Sequence, residues 1–292
     1  MIAIPPFDLT AGGVLISTNA VDAAAYNAGT TYAADVVVSY LGRNWLSLQA
    51  GNTGNTPGAS PLWWLDDGPI NSLAMFDSSV QTATTRTGGL TWTLEPGRFT
   101  SVGLLGLLGQ SVNLTIMDGL TEIHNETRTL ASSDGTYYSF CLEDFFQTRE
   151  TTFYGLPSTP TAQATITITG AGTTACGLCV VGKQFYAGEA QYGFSTPIED
   201  RGRHYLDTLG NPVNLERGYS KGMSGALVND RVNYNRLNAF LADHVGVEML
   251  WVAAPGMNDL VAATAYGRYT RAVPVIESYN QITTALEIAG NQ

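Results

Sequence analysis

The hydrophobic pattern along this chain has mostly a period of two. Ser111-Val112-Asn113-Leu114-Thr115-Ile116 alternates polar and apolar residues and stops at the turn pair Asp118-Gly119. Ala164-Thr165-Ile166-Thr167-Ile168-Thr169 alternates as cleanly and stops at Gly170. Such segments bury one face and wet the other, as strands of an antiparallel sandwich do. Tyr32 to Trp45 predicts two short strands about a tight turn at Leu41-Gly42-Arg43, and Asn52 to Ser60, punctuated by Asn, Gly and Pro, predicts a loop. One helix stands out: Tyr234, Leu237, Leu241 and Val245 share a stripe, Phe240 lies beside it, and Asp230 stands where a cap is expected. His244 sits at the edge of that stripe and reads as a packed helix residue. Val247 to Ala253 predicts a strand ended by Pro255-Gly256. The expectation is a mainly β chain in three parts: a small β module over 1–60, a β-sandwich over 61–187, and a β-rich unit with one helix over 188–292.

Length and composition fit that division. At 292 residues the chain exceeds one compact core. Hydrophobic residues make up 44%, but only 13% are charged, about half the usual share, and there are 32 glycines. This is the balance of a turn-rich protein with a neutral polar surface. A net charge of −11 opposes general nucleic-acid binding, which needs a basic face. No run approaches the roughly 20 apolar residues of a spanning helix, so no membrane insertion is expected. Met1 to Thr10 lacks a basic n-region, which predicts folding in a cytoplasm.

The residues offer little for catalysis. The three histidines, His124, His204 and His244, have no metal-site spacing, and neither a P-loop nor a dinucleotide-binding glycine pattern is present. Gly222-Met223-Ser224-Gly225 is not a nucleophile elbow. Glu143-Asp144 and Glu199-Asp200 are the only tempting acid pairs, and adjacent loop acids are ordinarily solvated charge. Cys176 and Cys179 form a lone C-x-x-C in a β-like run, where they read as small buried residues, and Cys141 stands apart. No cofactor is expected.

Aromatic and oxygen-bearing residues carry the binding candidates. Tyr32, Trp45, Trp63 and Trp64 surround the Asn/Gly/Pro loop, and flat rings suit the C–H face of a sugar, although a small module also needs such rings for its core. Asp66, Asp67, Asn71 and Asp77 read as residues that cap turns and bond their own backbone.

Three resemblances add to this. Asp35, Val37, Gly42, Trp45, Asn52, Pro57 and Trp63 follow an order that resembles the chitin-binding type of carbohydrate-binding module, which implies sugar contact by the aromatic residues. Asn71 to Asp77, Thr91 to Leu94, Val102 to Leu107, Ala164 to Gly170 and Cys176 to Gly182 follow an order similar to the galactose-binding-like (discoidin-type) jelly roll, a resemblance that implies a calcium ion or a structural turn at the opening element, where Asp66, Asp67, Asn71 and Asp77 carry hard oxygens. Finally, Asp207, Gly210, Asn211, Arg217, Ser220, Lys221, Phe240, Leu241, Leu250, Trp251, Tyr266, Gly267, Arg268 and Ile288 form a pattern that resembles the C-terminal domain of tail and baseplate proteins from long-tailed bacteriophages. That resemblance implies a structural virion protein, in a symmetric oligomer with other tail proteins, with Arg217, Lys221 and Arg268 as assembly contacts. The expected function is therefore assembly in a phage tail, with contact to a host-surface glycan. The alternative is a glycan-binding recognition protein or an accessory module of a polysaccharide-degrading system.

Overall fold

The computed structural model describes residues 1–9, 14–132, 141, 146–206, 208–215, 218–257, 260 and 262–291. The chain is mainly β, in several sheets, and the one α-helix described in full is short, Tyr234–Asp243. The expected contact Arg217, the motif residue Asp207 and the acid pair Glu143-Asp144 lie outside the described residues.

Four layers stack on one another. The first is a five-stranded antiparallel sheet in the order Thr121–Thr129, Ser111–Asp118, Ala162–Thr169, Leu90–Leu94, Leu15–Thr18. The two alternating segments are neighbours in it, with Leu114 opposite Ile166 and Val112 opposite Ile168. Their apolar residues are fully buried. Their threonines line the outer face, where Thr91 bonds Thr167 at 3.2 Å and Thr93 bonds Thr165 at 3.0 Å. The second layer is a three-stranded sheet, Glu150–Tyr154, Ser101–Leu105 and Leu178–Gly182. Trp92, Phe99, Leu104, Phe153, Cys179 and Val181 fill the space between the two, which makes them a sandwich.

A seven-stranded sheet forms the third layer, in the order Phe185–Tyr186, Ile2–Ile4, Met249–Val252, Thr264–Ile276, Gln281–Gly290, Met223–Asp230, Glu189–Ala190. One of its faces packs Ile2, Ile4, Leu250, Val252 and Tyr266 onto Leu105, Leu178 and Val180 of the sandwich. Its other face carries Trp251, Leu227 and Leu286 against Leu237 and Leu241 of the helix, the fourth layer. The middle sheet is thus covered on both sides, so Ser101–Leu105 and Leu178–Gly182 are buried at every position. That explains why these segments read as unbroken apolar runs and why Cys179 sits in a core; burial pushes its thiol up to about 12.

Two glycines allow the layers to close. A Cβ on Gly103 would come within 2.0 Å of Leu250 Cδ2, and one on Gly182 within 2.0 Å of the backbone oxygen of Pro5. The second clash is with backbone, which no rotamer change relieves. Gly182→Ala is expected to cost roughly 1–3 kcal/mol or more by overpacking, read as a lower urea midpoint at unchanged slope.

The strands pair across the expected boundaries. Ile2–Ile4 belongs to the third-layer sheet and Leu15–Thr18 to the sandwich, so neither joins the separate three-stranded sheet that lies between Val37 and Pro69. The helix also departs from expectation. A 3-10 turn, Arg231–Asn233, separates it from Asp230, whose side chain makes no capping hydrogen bond, and Val245 is exposed beyond its end. The buried stripe is only Leu237 and Leu241.

From Arg268 to Ile276 the long strand Thr264–Ile276 pairs on one side only, with Gln281–Gly290. This open edge carries Pro274, a register irregularity between Tyr269 and Arg271, and exposed Arg268. Each is a feature that discourages another strand from adding to an edge.

Candidate aromatic binding site

The small module is built on three antiparallel strands, Val37–Tyr40, Arg43–Ser47 and Trp64–Pro69. The first two are joined by Leu41 and Gly42, with φ of 51° and 76°. Two successive left-handed residues give the turn whose twist matches a hairpin, and glycine takes one of them without strain. The core consists of Tyr32, Val38 and Trp64, with Trp64 only 2% exposed. Trp64 stands edge-on to Tyr32 and Tyr26, with ring centroids 5.4 and 5.9 Å away. Its Nε1 donates to the Asn55 carbonyl at 2.7 Å. Buried Asn52 donates to Ser47 Oγ at 3.1 Å and pins the loop to the sheet.

The four aromatic candidates therefore divide. Trp64 and Tyr32 are spent on the interior, and a ring with no exposed face has none to offer a sugar. Trp45 and Trp63 are half-buried and pack on that core from outside. Trp45 is held by its Nε1, which donates to the Tyr40 carbonyl at 3.3 Å. Gly58, left-handed at φ +81°, lies over the Trp45 ring, where a Cβ would sit 3.5 Å from Cη2. Exposed Leu48, Leu62 and Leu65 adjoin Trp63, and Leu48 N–H donates to the Trp63 carbonyl at 2.9 Å. Two part-exposed indoles on a rigid base, beside an Asn/Thr/Gly loop, are the feature of this module most suited to holding a ligand.

The oxygen candidates are occupied by the fold. Asp66 is paired with Arg43 at 2.7 Å, and the guanidinium's hydrogen bond holds its carboxyl below the usual range. Asn71 donates to the carbonyls of Val21 and Thr85 and accepts from Thr85 N–H at 2.9 Å, tying the module to the sandwich. Asp77 accepts from Ser79 N–H at 2.8 Å and from the Thr82 hydroxyl, as a turn-capping residue does. Asp67 is an exposed strand residue. Among the described residues no group of three or more His, Cys, Asp or Glu is placed to hold a metal, and no helix is long and apolar enough to cross a membrane.

The basic candidates also separate. Lys221 is 7% exposed and donates to Glu150 Oε1 at 2.5 Å. Its charge is spent inside the chain, so it is not a free assembly contact. Of the two candidates that are described, Arg268 is the exposed one. Glu150, 71 positions away, has no local sequence signal that marks it as a partner. His204 lies between Asp200 Oδ2 at 2.9 Å and Asn214 Oδ1 at 3.0 Å on an exposed hairpin. These hydrogen bonds, Asn214 first, raise its pKa. It is a surface clamp between the ladders Ile198–Asp200 with Tyr219–Lys221 and Arg203–Leu206 with Pro212–Leu215.

No protein-family model matches the chain, and no curated protein sequence matches it. Among solved structures it is similar to the F5/8 type C domain of a Bacteroides fragilis protein, at 12% identity and a TM-score of 0.28, over 40% of this chain and 82% of that one. This is a distant and partial likeness, loosely that of a β-sandwich.

Proposed function

We propose that this chain is a non-catalytic glycan-binding protein, of the recognition or accessory-module kind, and that its small aromatic module holds the sugar. The observation that carries the reading is two half-buried indoles, Trp45 and Trp63, each packed against the buried cluster of Tyr32, Val38 and Trp64. A pyranose stacks its C–H face on such a surface, and a ring already fixed by its neighbours loses little freedom on binding. The test is a glycan array of the wild-type chain beside Trp63→Ala and Trp45→Ala. Binding is expected in the wild type and to fall about tenfold or more in each variant, while circular dichroism stays unchanged. A folded wild type that captures no glycan, or variants that bind as well as it does, sinks the proposal.

A second reading makes the chain a structural subunit of a larger particle, such as a bacteriophage tail or baseplate. What favours it is the segment from Ile198 to Tyr219, two short ladders that leave Ile198, Tyr205, Leu206, Leu209, Leu215 and Tyr219 exposed. Isolated two-stranded ladders are marginal in water, and apolar side chains grouped on them mark an interface. Light scattering distinguishes the cases: a defined oligomer that Leu206→Asp dissolves supports assembly, and a monomer at all concentrations opposes it.

A further inference from the structure

We infer that a cleft at the junction of the sandwich and the C-terminal unit is a second binding site, shaped for a single carboxylated sugar residue. It shares with the aromatic module the reading that this chain holds glycans, but none of that module's residues. The cleft has a volume of about 430 Å³, in the lower part of the range of small-molecule sites, about 300–1,000 Å³. That is room for one or two sugar rings.

Its lining combines what such a ligand needs. Leu108 and Tyr219, both exposed, provide apolar surface for the C–H face of a ring. Glu150 contributes a carboxylate already fixed in orientation. Lys221 donates to its Oε1 at 2.5 Å, whereas its Oε2 accepts no hydrogen bond among the described residues. That oxygen is a preorganised acceptor for a sugar hydroxyl. Lys221 also balances the charge of Glu150, so among the described lining residues the positive charge that an entering anion meets is that of Arg149. Arg149 is exposed and makes no ion pair among the described residues. A guanidinium grips a carboxylate through two parallel hydrogen bonds. In a chain of net charge −11, an arginine with no ion pair among the described residues, in a cleft beside a neutralised carboxylate, selects a carboxylated sugar over a neutral one.

The full 292-residue chain is titrated with glucuronic acid and galacturonic acid, and with glucose and galactose as neutral counterparts, by saturation-transfer NMR and calorimetry. A uronic acid is expected to bind about tenfold or more tightly than its neutral counterpart, and Arg149→Ala to weaken it about tenfold or more. Leu108→Glu, which places a like charge at the cleft, abolishes binding, and Trp63→Ala leaves it unchanged. Both cleft residues are exposed, and matching melting temperatures confirm that the variants fold. Failure of the uronic acids to bind, equal binding of acid and neutral sugars, or binding that survives both cleft variants overturns the assignment. Loss of uronic-acid binding in Trp63→Ala with Arg149→Ala silent moves the ligand to the aromatic module instead. Retention of uronic-acid binding by a chain whose array is blank at the module leaves this site standing while the module reading fails.

Discussion

Lys221→Met is expected to lower the stability of the chain by roughly 3–5 kcal/mol, because it strands a carboxylate in the interior. Lys221 and Glu150 have side chains only 9% and 15% exposed and face each other at 2.5 Å. Taking two ions out of water costs several kcal/mol each, and their attraction offsets this only while both are present. Glu150 shows which effect wins. Burial raises its pKa, and the charge and hydrogen bond of Lys221 lower it only in part. The sign follows. With the folded pKa above the unfolded value, the share of stability tied to the protonated acid is fully present below the unfolded pKa. It is lost as pH rises through the folded one. Removing Lys221 raises that pKa further, so the damage in Lys221→Met is larger at pH 7 than at pH 5, where more of Glu150 is neutral. A double variant, Lys221→Met with Glu150→Leu, recovers most of the loss, since an apolar pair of similar volume is often neutral or better. Urea unfolding of the four proteins of this cycle at both pH values gives the answer. Equal losses at the two pH values show that Glu150 is not the group left behind.

Trp64→Ala is expected to cost about 3–5 kcal/mol and to unfold the small module while the layered body stays intact. The module's buried core is only Tyr32, Val38 and Trp64, so one truncation removes its largest member together with two edge-on ring contacts and the bond to Asn55. A core of that size has no reserve against such a loss. The readout is limited proteolysis: early cuts between about residues 20 and 70 in Trp64→Ala, with the remainder of the chain resistant. Trp64→Phe keeps an edge-on ring but loses the Nε1 bond, at a cost of about 1 kcal/mol. Trp63→Ala, at a half-buried position, loses less and keeps the module resistant to protease. Equal fragility of Trp63→Ala and Trp64→Ala makes both residues core and removes the surface on which the glycan proposal rests.

Much of the sandwich was legible in the sequence because its outer strands have one wet face. Ser111 to Ile116 and Ala164 to Thr169 declare their orientation residue by residue. The hairpin turn at Leu41-Gly42 was equally plain. The middle sheet was less readable, since a strand covered on both sides has no alternation to show. Ile2–Ile4 escaped notice altogether. Three residues hold too little pattern, and their partners are Phe185–Tyr186 and Met249–Val252, which no local signal connects to them. The adjacency of Trp63 and Trp64 placed one ring on each side of the strand but not which ring went inside. The choice was made by Tyr26 and Tyr32, which meet Trp64 from a different part of the chain. Lys221 looked like surface charge for the same reason, because its partner lies across the junction of two units.

The position of Ile2–Ile4 also sets an order of events in the cell. Ile2 pairs with Tyr186 and Ile4 with Leu250, so on the ribosome this strand emerges roughly 180 residues before its earlier partner and roughly 250 before its later one, a wait for the later one on the order of 10–50 s at ordinary elongation speeds. The sandwich, whose strands lie within Leu15 to Gly182, is made during that wait and offers its back surface of Leu105, Leu178 and Val180 as a resting place. The head of the chain can thus be sheltered by the part synthesised next, until the late strands arrive to lock it in.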